Sequence, residues 1–371
     1  MKIGILTFHR AHNYGAVLQA YALKTFLIKA GYQNVSFVDY WPKYHENVYK
    51  LFNVDFFKSL SIVGRIKYII NYLLTYKRKQ RRYNLFSYFI NEYLTPKTDY
   101  IEEKYDVVIY GSDQIWRYQK TIDFEGYDAL YFGDKRIKAK WKIAYSASMG
   151  ELSHPEVLRL LLLENISRFN AISVRETDLF DYIRKYYNNV CQTLDPVFLL
   201  SKEDWLPLIN NKKRMYENYI LVYNLQLNDQ VEDIALELSK KTGYQIIHIV
   251  GCVMYKISHK NYYEDAGPID FISLINNASY VVTSSFHGTA FSLIFNKEVY
   301  VSMSTNYQRV LSLLDIVGLT ARFIKSEIET IQLDQKIEWR KVNELLNKQI
   351  CFSKKYLLRN LNLLYPINNY Q

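Results

Sequence analysis

Long apolar runs are missing from this 371-residue chain. No stretch reaches the roughly 18 apolar residues of a bilayer-spanning helix, so a helical membrane protein is not expected. The opening residues MKIGILTFHRAHNYG hold one Lys and a short apolar run soon broken by charge, which reads as a first β-strand and not a signal peptide. Cysteine is scarce as well. Cys191, Cys252 and Cys351 are far apart and odd in number, which argues against a disulfide framework or a CxxC metal site and fits a reducing compartment. A cytoplasmic chain is expected, with peripheral contact to the inner face of the cell membrane left open. Also absent are GxxxxGKS/T, GxGxxG, HExxH and an Asp-x-Asp pair of the kind that holds a metal-bound sugar nucleotide. Kinases, dehydrogenases and zinc hydrolases are thereby disfavoured. There is no internal repeat and no low-complexity tract.

What is present suits a two-domain enzyme. Hydrophobic residues make up 49% of the chain, enough for real cores, and at about 150 residues per domain the length suggests two lobes with a cleft between them. The formal charge of +10 favours an anionic partner such as phosphate, anionic lipid or nucleic acid, or simply serves solubility. Thirty-five Tyr residues offer flat apolar faces with polar tips, which suit sugar stacking, although ordinary packing explains them equally well.

Periodicity predicts an α/β fold of two Rossmann-like lobes facing a central cleft. A strand over 2–8, a helix over 15–30 and a strand over 35–40 form one βαβ unit. Residues 41–104 read as a helical insertion. The sheet resumes at 105–110, with further strands at 142–146, 171–174 and 189–193 and helices at 155–169 and 176–186. Pro196 biases Asp195 away from helix and ends the first lobe, 1–205. A polar linker, 201–218, leads to a second lobe, 218–335, with strands at 219–223, 245–250, 280–283 and 298–302. Helices fall between them, the last from about 287 to 295. The tail, 336–371, reads as helical and able to cross back to the first lobe.

Ligands of open α/β sheets bind beyond the carboxyl ends of strands, where helix N-termini offer unpaired N–H groups. Four strand ends qualify: Asn13-Tyr14-Gly15-Ala16, the GSDQIW segment from Gly111 to Trp116, Ser173-Val174-Arg175-Glu176, and Thr283 to Gly288. The last delivers hydroxyls, the imidazole of His287 and a Gly to a helix start. That set suits a phosphate or carboxylate beside a proton donor. The plainer reading is an N-cap at Ser284 or Ser285 with a half-buried His287. In GSDQIW, Ser112 and Asp113 are ordinary N-caps, yet Trp116 beyond them offers a stacking face. Arg175 could clamp an anion or simply pair with Glu176.

Together NYGAVLQAYAL, YDVVIYGSDQIW, KIAYSASMG, SVRE, LDPVFLL, VVTSSFHGTAFSLIF and RVLSLLDIVGL resemble the polysaccharide pyruvyltransferase family, in order and spacing, over about residues 1–325. The resemblance implies a transferase on a fold similar to two-lobed, GT-B-like glycosyltransferases. It would carry a pyruvyl group from phosphoenolpyruvate to a sugar as a ketal, with no cofactor and no dedicated metal site; a need for a divalent cation stays open. It makes His287 the acid that protonates the enol ether and Asp113 the group that orients or deprotonates the acceptor. The donor falls to Arg175, Ser284, Ser285, Gly288 and Arg309, and the acceptor to Asn13, Tyr14, Gly15, Ser112, Gln114 and Trp116. Ser285 departs from the pattern, because many members carry Arg there. Arg309 or Arg322 is expected to replace that charge.

Within the insertion, 60–83 reads as an apolar helix running into KRKQRR, the composition of a segment lying on an anionic membrane, which a lipid-linked glycan acceptor would explain. A solvated helix end and a nucleic-acid patch are the alternatives, and nucleic acid is not expected without a recognised binding fold. Competing functions are a sugar-nucleotide glycosyltransferase on the same scaffold and a non-catalytic scaffold for polysaccharide assembly.

Overall fold

The computed structural model describes residues 1–95, 104–209, 218–253, 261–325, 333 and 335–364. Two parallel sheets form the frame. In the first, the run of β1 (Ile3–Leu6), α1 (Tyr14–Lys29) and β2 (Val35–Phe37) is followed by α2 (Lys43–Tyr49), α3 (Val54–Ser59) and the long α4 (Ile62–Phe89). Then come β3 (Tyr105–Tyr110), a small hairpin of β4 (Gln119–Lys120) and β5 (Glu125–Gly126), β6 (Ala139–Ala147), α5 (Pro155–Asn165), β7 (Ala171–Val174), α6 (Thr177–Arg184) and β8 (Val190–Gln192). The sheet order is β2-β1-β3-β6-β7-β8. α7 (Lys202–Trp205) falls within the expected linker, and its Trp205 is fully buried with the indole N–H donating to Val197 O at 3.2 Å. The rest of that linker, 210–217, lies outside the described residues.

The second sheet runs through β9 (Tyr219–Tyr223), α8 (Asp229–Thr242), β10 (Gln245–Ile249), β11 (Tyr262–Tyr263), α9 (Pro268–Asn277), β12 (Tyr280–Thr283), α10 (Phe286–Ile294) and β13 (Glu298–Val301), in the order β11-β10-β9-β12-β13. α11 (Gln308–Ile316) and α12 (Trp339–Leu364) complete the chain. α12 reaches the edge of the first sheet, where Ser353 Oγ accepts from Leu194 N at 3.0 Å.

Local chemistry explains the boundaries. The strands β3, β9 and β12 are apolar almost throughout, Asp106 in β3 being the one charged residue, because both faces of a parallel sheet are covered by helices. Helix α8 ends where Gly243 takes φ +72°, a left-handed turn that glycine adopts without a Cβ clash. Pro155 and Pro268 open α5 and α9, where a missing N–H costs nothing.

One apolar cluster passes through both lobes, from Ile3 and Leu23 through Phe86 to Phe271, Phe291 and Leu357. Tyr14 stacks on Phe271 at 4.7 Å and donates its hydroxyl hydrogen to Ala266 O at 3.0 Å. Arg82 of α4 is 7% exposed and bonds Tyr14 Oη, Val250 O and Gly251 O, while Arg78 pairs with Glu264. The insertion is therefore tied to the second lobe as well as the first. What faces the cleft is set by strand order. In each sheet the order reverses beside a central strand, at β1/β3 in one and β9/β12 in the other, and these crevices are where such sheets hold ligands.

Candidate active site

Both crevices open into one cavity of about 270 Å³, lined from the first lobe by Asn13, Gly15, Asp113, Gln114 and Arg117 and from the second by Tyr223, Ser285, Phe286, His287 and Arg309. Asn13 caps α1, its Oδ1 accepting from Ala16 N at 3.2 Å. Ser285 caps α10, its Oγ accepting from Gly288 N at 3.3 Å. Two helix starts, with their partial positive charge, thus lie at the same cavity.

His287, in the first turn of α10, is 8% exposed and packs on Gly15 of α1. A Cβ on Gly15 would fall 1.9 Å from His287 Nδ1, so only glycine leaves room for the ring. The other nitrogen, Nε2, is buried without a hydrogen-bond partner and lies 3.7 Å from Asp195 Oδ2. That spacing is an ion-pair contact, too long for a hydrogen bond. Asp195 itself is fully buried. Its Oδ2 is paired with Arg175 Nη1 and accepts from Ser112 Oγ at 3.3 Å, while Oδ1 accepts from Val197 N at 3.1 Å. Burial would push this carboxyl up, but His287, Arg175 and the Val197 N–H hold it down at about 2, so it is a carboxylate across the working range. A carboxylate facing Nε2 favours the tautomer with its proton there, leaving Nδ1 to exchange one.

Arg175 is 4% exposed and sits behind Phe286, its guanidinium 4.5 Å from the ring centroid. It is held by Asp195 and does not line the cavity, while its Nε and Nη2 are buried without hydrogen-bond partners. Arg309 approaches the same ring at 5.8 Å and does line the cavity. Burial and the neighbouring charge of Arg175 lower its pKa to about 10, against the pull of Glu176 and Asp113, so it stays cationic at neutral pH. Asp113 is 9% exposed and held at φ +73°, a conformation rare for non-glycine residues, with Oδ1 accepting from Gln114 N at 2.8 Å.

Several residues expected at the ligand are engaged by the protein itself. Trp116 is fully buried, stacked on Phe132 at 5.3 Å with its indole N–H donating to Tyr131 O at 2.9 Å, so it offers no face to a sugar. Tyr14 is spent on the joint between lobes, and Ser112 on Ser146 O and Asp195. Ser284 turns away to accept from Leu225 N at 2.7 Å. Gly288 faces Thr283, whose Oγ1 would lie 2.6 Å from a Cβ there. Arg322 pairs with Glu298 at 3.1 Å and is no part of the cavity wall.

Other residues of the site and its wall were not singled out by sequence. Asp195 read only as punctuation before Pro196. Tyr44, His45 and Tyr49 come from α2 in the insertion. His45 is lowered to about 4 by burial, against the opposing charge of Asp113, and so is neutral. Tyr49 is shared with an adjoining, more open cleft of about 800 Å³, whose lining includes Trp41, Tyr83 and Asn91. Among the described residues no group of three or more His, Cys, Asp or Glu is placed to hold a metal ion.

In structure the chain is similar to a putative UDP-N-acetylglucosamine 2-epimerase from Listeria monocytogenes, at a TM-score of 0.52 and 10% identity, covering 97% of this chain and 95% of that one. The UDP-GlcNAc 2-epimerase of Methanocaldococcus jannaschii follows at 0.49 and 12%, covering 98% and 100%. The Escherichia coli heptosyltransferase WaaC stands at 0.34 and 11%, covering 81% and 88%. The fold is the two-lobed, GT-B-like one. In sequence, no curated protein matches. The polysaccharide pyruvyl transferase profile, however, spans residues 13–305, from the cap of α1 past β13; the chain belongs to that family.

Proposed function

We propose that this transferase moves a pyruvyl group from phosphoenolpyruvate onto two hydroxyls of a sugar in a surface or capsular polysaccharide precursor, carried on a lipid. The observation that supports it best is His287 held between Gly15 and the Asp195 carboxylate at the edge of a small cavity. About 270 Å³ lies just below the usual ~300–1,000 Å³ of ligand pockets, which favours a three-carbon donor over a sugar nucleotide.

In this reading His287 gives its proton to the methylene carbon of the enol phosphate. C2 becomes oxocarbenium-like, and a sugar hydroxyl adds to it, losing its proton to Asp113. The C2–O bond to phosphate breaks, phosphate leaves with the bonding pair, and the second hydroxyl closes the ketal. Of the two hydroxyl protons, the first passes from Asp113 to the departing phosphate and the second returns to His287. Arg309 and the N–H groups of α1 and α10 hold the donor's anionic ends, and Arg309 supplies the charge that Ser285 does not. Arg175 acts from behind, fixing Asp195. The acceptor enters past Gln114, Arg117 and Tyr49, with further sugar units in the adjoining cleft.

The test is incubation with phosphoenolpyruvate and a panel of lipid-linked or aryl glycosides, following phosphate release and the mass gain of one pyruvyl ketal. Thermal stabilisation by a sugar nucleotide but not by phosphoenolpyruvate would overturn the donor assignment.

A further inference from the structure

Helix α4 carries its aliphatic residues on the outside. Ile62, Ile66, Ile70 and Leu73 recur at helical spacing and are 77%, 54%, 49% and 68% exposed, with Val63 and Leu74 beside them at 62% and 54%. The side facing the protein is aromatic instead, Tyr68 and Tyr72 packing on Phe52 at 5.1 and 5.2 Å. A contiguous exposed apolar stripe of this kind marks a binding surface.

Charge indicates what covers it. Between Asp55 and Glu92 there are eight Lys and Arg and no acidic residue. Arg78, Arg81 and Arg82 are engaged by the second lobe, whereas Lys58, Lys67 and Lys77 stand exposed around the stripe. A second copy would bring like charges together, and an anionic surface would not. The stripe from Ile62 to Leu74 is about 18 Å long, too short to cross a hydrocarbon core of about 30 Å. Among the described residues no helix is long and apolar enough to span a membrane.

We infer that the first half of α4 is a docking surface for an anionic lipid bilayer, lying in its interface with the aliphatic stripe buried and the lysines against the headgroups. The test is co-sedimentation of the full chain with vesicles of phosphatidylcholine alone, or of equal parts phosphatidylcholine and phosphatidylglycerol. The wild type should sediment with the anionic vesicles and be released by salt. A triple variant, Ile66→Gln, Ile70→Gln and Leu73→Gln, keeps helix propensity and should lose more than about tenfold in bound fraction. Lys67→Gln with Lys77→Gln should lose binding to anionic vesicles alone. Failure of the wild type to sediment, unchanged binding of the triple variant, or a wild-type dimer that the triple variant turns into a monomer would each overturn the inference.

Discussion

Gly15 and His287 belong to different lobes, yet the imidazole occupies the space a side chain at Gly15 would take. The predicted consequence is that Gly15→Ala, conservative in any other helix, displaces the ring. Overpacking should cost about 1–3 kcal/mol, partly offset by the better helix propensity of Ala. Turnover should fall far more than stability does. Wild-type turnover in a folded Gly15→Ala protein would sink the placement of the acid.

His287→Asn removes the exchangeable proton and should lower turnover roughly 10²–10⁴-fold with little change in apparent donor affinity. Asp195→Asn keeps the shape but frees the tautomer and leaves Arg175 without its buried carboxylate, so both turnover and melting temperature should fall. Steady-state kinetics on the two variants separate these effects: retention of near wild-type phosphate release by His287→Asn rules it out as the essential acid.

For the donor, Arg309→Met should raise the apparent KM for phosphoenolpyruvate by about 10–100-fold through loss of a charge-assisted contact. Arg175→Met should reduce turnover and stability first, because it unpairs Asp195. If Arg175→Met weakens donor affinity and Arg309→Met does not, the two roles are exchanged.

Acid should destabilise the fold in two stages. His9 is fully buried and, by that burial, lowered from 6.5 to about 4, so its stabilising effect is complete above pH 6.5 and lost as pH falls through 4, roughly 3 kcal/mol in all. Asp195, held at about 2 against its ordinary 3.8, adds roughly 2 kcal/mol, lost between about pH 4 and 2. Urea midpoints from pH 8 to 3 test this, and a flat profile between pH 7 and 4 would contradict it.

Trp116→Ala should cost about 3–5 kcal/mol as a core cavity, with no change in acceptor KM where the protein remains folded. A selective loss of acceptor affinity would restore it to the sugar site.

The alternation of strand and helix was legible because short apolar runs alternate with stretches of helical period, as a parallel sheet covered by helices requires. Strands 105–110, 171–174, 219–223 and 280–283 begin and end where the periodicity places them. The two-residue strands β4, β5 and β11 were not, since two residues carry no period. At the site, strand-end position was readable and side-chain direction was not. Trp116 follows a strand as a ligand-binding aromatic would, but Phe132 and Phe169 draw it inward. Asp195 is made important by Arg175 and His287, residues distant in sequence that only the folded chain brings to it.

Helix α4 is one continuous rod from Ile62 to Phe89, about 42 Å long, and near its far end Arg82 is bonded to both lobes. Its first half cannot swing without carrying the whole body along. Whatever grips the outward isoleucines therefore sets the tilt and height of the cleft mouth. With that face held, a tumbling enzyme would take a fixed bearing toward substrates presented from one side.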